Sequence, residues 1–154
     1  TLSSSSAASD VYKRQAGRGA DGDYYVLADY SGRYSPDAWA AKAVDAYHIH
    51  NADRIIGEVN NGGDMIELTL RTIMPNAPYT AVHASRGKRI RAEPIAALYE
   101  QGKVFHVAGL GLLEEQLCSW APDIPKSPDR LDALVWGLTD LSQRGRPNLR
   151  WITI

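Results

Sequence analysis

The sequence predicts an α/β domain, a mainly parallel mixed sheet flanked by helices, and three observations carry that expectation. Short β-favouring runs alternate with longer stretches of helical spacing from Tyr24 to Leu138, the order that builds strand–helix–strand units. The helical stretches begin or end on clear punctuation: Ser35-Pro36, Pro75, Gly102, Pro122 and Ser127-Pro128. One apolar run, Arg54 to Val59, carries Glu58 at its end and leads into Asn60-Asn61-Gly62-Gly63-Asp64. In open α/β sheets the carboxyl ends of strands line the crevice where ligands bind, so this junction is the natural centre of the fold.

With 154 residues the chain is about one domain long and has enough apolar content for a core. A net charge of −1 excludes a uniformly basic nucleic-acid-coating protein, although charge can still be segregated on one face. The single cysteine, Cys118, allows no intramolecular disulfide, which suits a reducing compartment. The apolar runs are too short for a membrane span, and the N-terminus lacks the layout of a signal peptide. A soluble, intracellular protein is expected.

Residues 1–22 are rich in Ser, Ala and Gly and show neither strand nor helix period, so a disordered or non-native segment is expected there. Gly17, Gly19 and Gly22 match a dinucleotide-binding spacing, but the required preceding strand and following helix are missing. Tyr24 to Asp29 reads as a strand. Ser35 as cap and Pro36 as first residue open a helix to about His50, with Trp39, Ala43 and Tyr47 towards the sheet. His48 and His50, two apart, fall on different faces and read as solvent-side residues rather than ligands.

After the central strand, Gly62-Gly63-Asp64 leads into a helix carrying Met65, Ile66, Leu68, Leu70 and Ile73. The turn Asn61-Gly62-Gly63 suits close approach of a phosphate to a helix N-terminus, and a plain turn uses the same glycines. Tyr79 to Ala84 is a third strand, followed by a basic loop with Arg86, Lys88, Arg89 and Arg91. Such clustering is either a footprint for a polyphosphate backbone or simply solvated charge. A helix over Glu93–Gln101, a strand over Lys103–Val107 and an amphipathic helix carrying Leu112, Leu113, Gln116, Leu117 and Trp120 and stopping at Pro122 come next. A helix capped by Ser127 then packs Leu131, Leu134, Val135 and Leu138, with Asp129 and Asp132 on another face, one turn apart. Acids in a first turn also stabilise the helix dipole, so this pair has a purely structural reading too. Residues 142–154 read as a tail or an edge strand.

Glu58, Asp129 and Asp132 lack obvious structural work. Hard oxygen donors without Cys or His suit magnesium or manganese, and two such ions can drive an in-line phosphodiester displacement. The alternative for Glu58 is a surface carboxylate at a turn.

The runs IIGEVNNGGDMIELTLR, ASRGKRIRAEPIAALYEQGKV and SPDRLDALVWGL, in that order, resemble the C-terminal nuclease domain of the large terminase subunit of tailed bacteriophages, over roughly Tyr24 to Leu141. The resemblance implies a ribonuclease H-like fold and a metal-dependent endonuclease that cuts double-stranded viral DNA during genome packaging. Glu58 matches the acid ending the family's fourth strand, and Asp129 and Asp132 match the acidic pair on its final helix. It also implies two Mg2+ or Mn2+ ions, an ATPase domain, a small terminase subunit and a portal as partners, and the cytoplasm of an infected or lysogenic bacterial host. The basic loop would then hold the DNA backbone.

The family's first catalytic aspartate lies on a central first strand upstream of Tyr24, where this chain has TLSSSSAASDVYKRQ. The expectation is therefore an N-terminally truncated domain over residues 23–141, with that strand missing and activity impaired. No Gly-Lys-Ser/Thr phosphate loop is present, so ATPase activity is not expected of this chain. Two other readings stay open: a non-catalytic interaction module of the packaging motor, and a resolvase-like nuclease of the same fold.

Overall fold

The computed structural model describes residues 9–11, 14–59, 64–107, 109–120, 129–144 and 150–153. A six-stranded mixed sheet forms its centre. In chain order the elements are β1 (Ser9–Val11), β2 (Arg14–Arg18), β3 (Tyr24–Asp29), β4 (Gly32–Tyr34), α1 (Pro36–Ile49), β5 (Arg54–Glu58), α2 (Asp64–Ile73), β6 (Tyr79–Val82), α3 (Lys88–Glu100), β7 (Val104–His106), α4 (Gly111–Ser119), α5 (Asp129–Gln143) and β8 (Arg150–Thr153). The sheet order is β6-β5-β8-β2-β3-β7, and β1 pairs with β4 as a separate two-stranded ribbon. Three pairings are parallel (β5 with β6, β5 with β8, β3 with β7); β2 runs antiparallel to both its neighbours.

Each face of the sheet is covered by its own set of helices. Ile56, Val26 and Ala16 join Leu113, Leu131, Leu134, Val135 and Leu138 in a cluster under α3, α4 and α5. Ile55, on the opposite face, packs with Ala40, Ala43, Val44 and Leu70 under α1 and α2. Adjacent residues of β5 thus feed two cores, the pattern of a strand buried on both sides. Leu134 and Leu138 are fully enclosed, each contributing about 1.5–3 kcal/mol from area removed from water. Met65 and Leu68, apolar on α2, are instead largely exposed.

Several local expectations hold. Ser35 accepts a hydrogen bond from the Ala38 N–H, satisfying one free donor at the start of α1. The strand over Tyr24–Asp29 has the expected bounds, and Gly102, at φ +67, follows the end of α3 in a conformation that L side chains rarely adopt. His48 is exposed as expected, whereas His50 is half-buried and shares a 2.8 Å hydrogen bond with the Tyr30 hydroxyl.

Three expectations are corrected. Residues 14–18 are strand β2, paired on both sides, not part of a disordered segment. The period is hidden because the enclosed residues are small (Ala16, Gly17) or charged (Arg14), and Arg14 is buried against Asp29 and Ser31. The terminal segment 142–154 is not simply a tail: α5 continues to Gln143, and β8 lies in the middle of the sheet between β5 and β2. A four-residue run shows too little alternation to be read as central, since main-chain pairing with two neighbours is what places it. Two strands precede Tyr24: β2, inside the sheet next to β8, carries no acid, and β1, which pairs with β4 outside that sheet, carries Asp10. Lastly, the basic segment is not all loop, because α3 begins at Lys88 and runs through Pro94.

Candidate functional site

Strand directions set the site. β5, β6, β8, β3 and β7 all point the same way, so their carboxyl ends share one rim of the sheet, with the start of β2 beside them. Glu58 ends β5 on that rim. Two residues beyond Ile56, it projects on the same face of the sheet, the one covered by α3 and α5. α5 descends across this face from that rim. At its start Arg130 Nε reaches Asp29 at the end of β3 (3.3 Å), and near its other end Asp140 meets Arg54 at the beginning of β5 (3.8 Å). The first turn of α5, which carries Asp129 and Asp132, thus lies at the end of the sheet where Glu58 sits, over the same face.

Asp132 is only 7 % exposed, contrary to the expectation that it points away from the packed side. It faces α3, where Arg91 Nη2 donates to its Oδ1 at 2.8 Å and Lys88 Nζ lies 3.5 Å from Oδ2. The helix dipole explains the arrangement. α3 opens on Gly87 with no side-chain cap and no acid in its first turn, while carrying cations where the dipole favours anions. Asp132 supplies the missing negative charge from the neighbouring helix.

Arg91 is held on three sides, because its Nη1 also donates to the Arg86 carbonyl (2.7 Å) and its guanidinium lies 4.7 Å from the centre of the Trp136 ring. Of the four cations expected to meet a polyphosphate backbone, Arg91 is consequently a packed structural group. Lys88 is shared between Asp132 and solvent. Arg86 is exposed, and Arg89 is exposed with a 3.7 Å pairing to Glu93.

Glu58 is half-buried, and its side chain makes no hydrogen bond or ion pair with the described residues. The Asp129 side chain and the turn Asn61-Gly62-Gly63 lie outside the described residues. Sequence reasoning missed Asp29 and Arg130. Asp29 ends a strand on the same rim as Glu58, so the argument that singled out Glu58 applied equally to it. Around it Arg14 is completely buried, and that burial brings its guanidinium down to about 10, against the opposing pull of Asp29 and with a further push from Arg130.

The oxygen donors suit a hard divalent cation in kind. Glu58, at a strand end and without a partner among the described residues, fits a ligand role as it stands. Asp132 fits once Lys88 and Arg91 yield, since two cations already neutralise it. Among the described residues no three His, Cys, Asp or Glu side chains are grouped closely enough to hold a metal.

With this geometry, a comparison with protein families becomes decisive: the terminase RNaseH-like domain model matches residues 11–141. The chain belongs to the terminase RNaseH-like domain family. The match includes β2 and reaches into the C-terminal part of α5, so it spans Glu58, Asp129, Asp132 and the cations of α3. No curated protein and no solved structure gives a significant match. Among the described residues of this terminase domain, no helix is long and apolar enough to cross a membrane.

Proposed function

We propose that this terminase domain is the nuclease of a DNA-packaging machine, cleaving double-stranded viral DNA by metal-assisted phosphodiester hydrolysis. The observation that carries this reading is Glu58: a carboxylate with no partner among the described residues at the carboxyl end of an interior strand, on the face and at the end where α5 brings its acidic first turn. An unpaired acid there contributes nothing to packing and is free to meet a cation.

Glu58, Asp129 and Asp132 would hold two Mg2+ or Mn2+ ions, whose chemistry would be to lower the pKa of water and stabilise the leaving oxygen.

 Lys88 is the group best placed to turn from Asp132 towards a phosphate, being 43 % exposed where Arg91 is 11 %. Arg86 and Arg89 meet the backbone from the surface of the same helix start, a contact that carries no base information. The ATPase domain, the small terminase subunit and the portal are the proposed partners, in the cytoplasm of a bacterial host.

Manganese-dependent nicking of supercoiled plasmid tests the reading, alongside manganese binding followed by electron paramagnetic resonance. Cleavage by the chain and loss of both signals in Glu58→Gln support it. A second reading, an interaction module without catalysis, is favoured by one observation: Asp132 is already neutralised by Arg91 and Lys88. No cleavage, with manganese binding unchanged in Glu58→Gln, selects that reading instead.

A further inference from the structure

Between α3, α4, α5 and β7 lies a cavity of about 670 Å³, within the range that accepts an organic ligand. Aliphatic side chains such as Ile95, Leu131 and Val135 make up most of its wall, and Tyr99 and Trp120 add aromatic surface. Among the described residues its charged lining is Glu100 and Glu114, with no Lys or Arg. Neither Glu58 nor Asp132 belongs to it, so this site stands independently of the proposed nuclease.

One of the two carboxylates, Glu114, is held by a hydrogen bond to His106 while its side chain is 53 % exposed. Tyr99 Oη lies 2.6 Å from His106 Nε2, and His106 Nδ1 lies 3.1 Å from Glu114 Oε1. Burial, helped by the charge of Glu114, raises the Tyr99 hydroxyl above its usual range, so it remains a proton donor. With Tyr99 donating to Nε2, the imidazole carries its proton on Nδ1 and donates to Glu114. The relay orients the Glu114 carboxylate and leaves Oε2 with no partner among the described residues. Low-dielectric walls around charge of one sign strengthen its attraction for the opposite sign, and aromatic faces add to it.

We propose that this cavity binds an amphipathic organic cation, an apolar body bearing an ammonium head that pairs with Glu114. The apolar wall takes the body, and the oriented carboxylate takes the head.

The test uses three probes of nearly equal shape: 2-phenylethylammonium, 2-phenylethanol and phenylacetate. Binding is read from the Trp120 indole N–H resonance and from protection of Cys118, an exposed thiol lining the cavity, against alkylation. The ammonium should bind saturably and most tightly. Glu114→Gln should weaken it about tenfold, as loss of a charge-assisted hydrogen bond does, while leaving 2-phenylethanol unchanged. Ala96→Phe, at an exposed lining position of α3, should block all three probes without touching the carboxylate. Equal binding of the three probes, unchanged ammonium affinity in Glu114→Gln, or no effect of any probe on Trp120 and Cys118 would each overturn the proposal.

Discussion

Removing the charge of Asp132 by Asp132→Asn separates its structural work from any catalytic work. Asp132 and Arg91 are 9 % and 11 % exposed at their side chains and 2.8 Å apart, so the change leaves a nearly buried guanidinium without its counter-charge. Breaking such a pair on one side costs about 3–5 kcal/mol. Two features place the expected loss near the lower bound: Arg91 keeps its bond to the Arg86 carbonyl and its contact with Trp136, and Lys88 can turn to water. A loss of about 3 kcal/mol corresponds to a fall of roughly 6–12 °C in Tm for a chain of this size. Urea denaturation of Asp132→Asn, Arg91→Gln and the double variant gives the coupling directly. The double variant should recover part of the loss, because no unpaired charge remains. A cost below about 1 kcal/mol for Asp132→Asn, with additive single changes, would refute the reasoning and return Asp132 to an isolated surface acid.

Glu58→Gln, by contrast, should change stability by less than about 0.5 kcal/mol in the same urea assay, since the carboxylate has no partner among the described residues to lose. Gly57→Ala should cost about 1–3 kcal/mol, because a Cβ there meets the Tyr79 hydroxyl at 2.6 Å and its ring at 2.9 Å, between two paired strands. Burial holds the His50 imidazole below its ordinary range, so the folded state favours the neutral ring. Stability from this group is full above the unfolded pKa of about 6.5 and declines as pH falls below it. His50→Gln should flatten that part of a Tm-versus-pH curve. Arg86→Ala and Arg89→Ala should weaken DNA binding evenly across sequences and reduce its salt dependence, each by close to one phosphate contact, in titrations at several salt concentrations.

The alternation of strands and helices, the capped start of α1 and the apolar stripe of α5 were legible because each is written in local spacing. Ser35, Leu131, Leu134, Val135 and Leu138 all lie where periodicity places them. The position of Glu58 at a strand end was legible for the same reason. What local spacing does not contain is a partner from elsewhere in the chain. Arg14 reads as polar until Asp29 is beside it, and Asp132 reads as exposed until Arg91 and Lys88 come from α3. The basic cluster divided in the same way, with Arg91 drawn inward by Trp136 and Asp132, and Arg86 and Arg89 left at the surface. Family membership over residues 11–141 adds β2 to the matched region, which periodicity alone left out.

The place of β8 bears on how the molecule assembles. Through it, a parallel pair formed by β5 and β6 is joined to a second set formed by β2, β3 and β7, so β8 acts as a keystone between two half-sheets. Its pairings are among the most distant in sequence, Gln15 with Thr153 on one side and Ile55 with Thr153 on the other. Contacts of that separation form slowly, because a long loop must close before any pairing is gained. Each half-sheet can therefore gather its own helices first, and the rim that carries Glu58 opposite Asp29 takes its final width only when the keystone is seated.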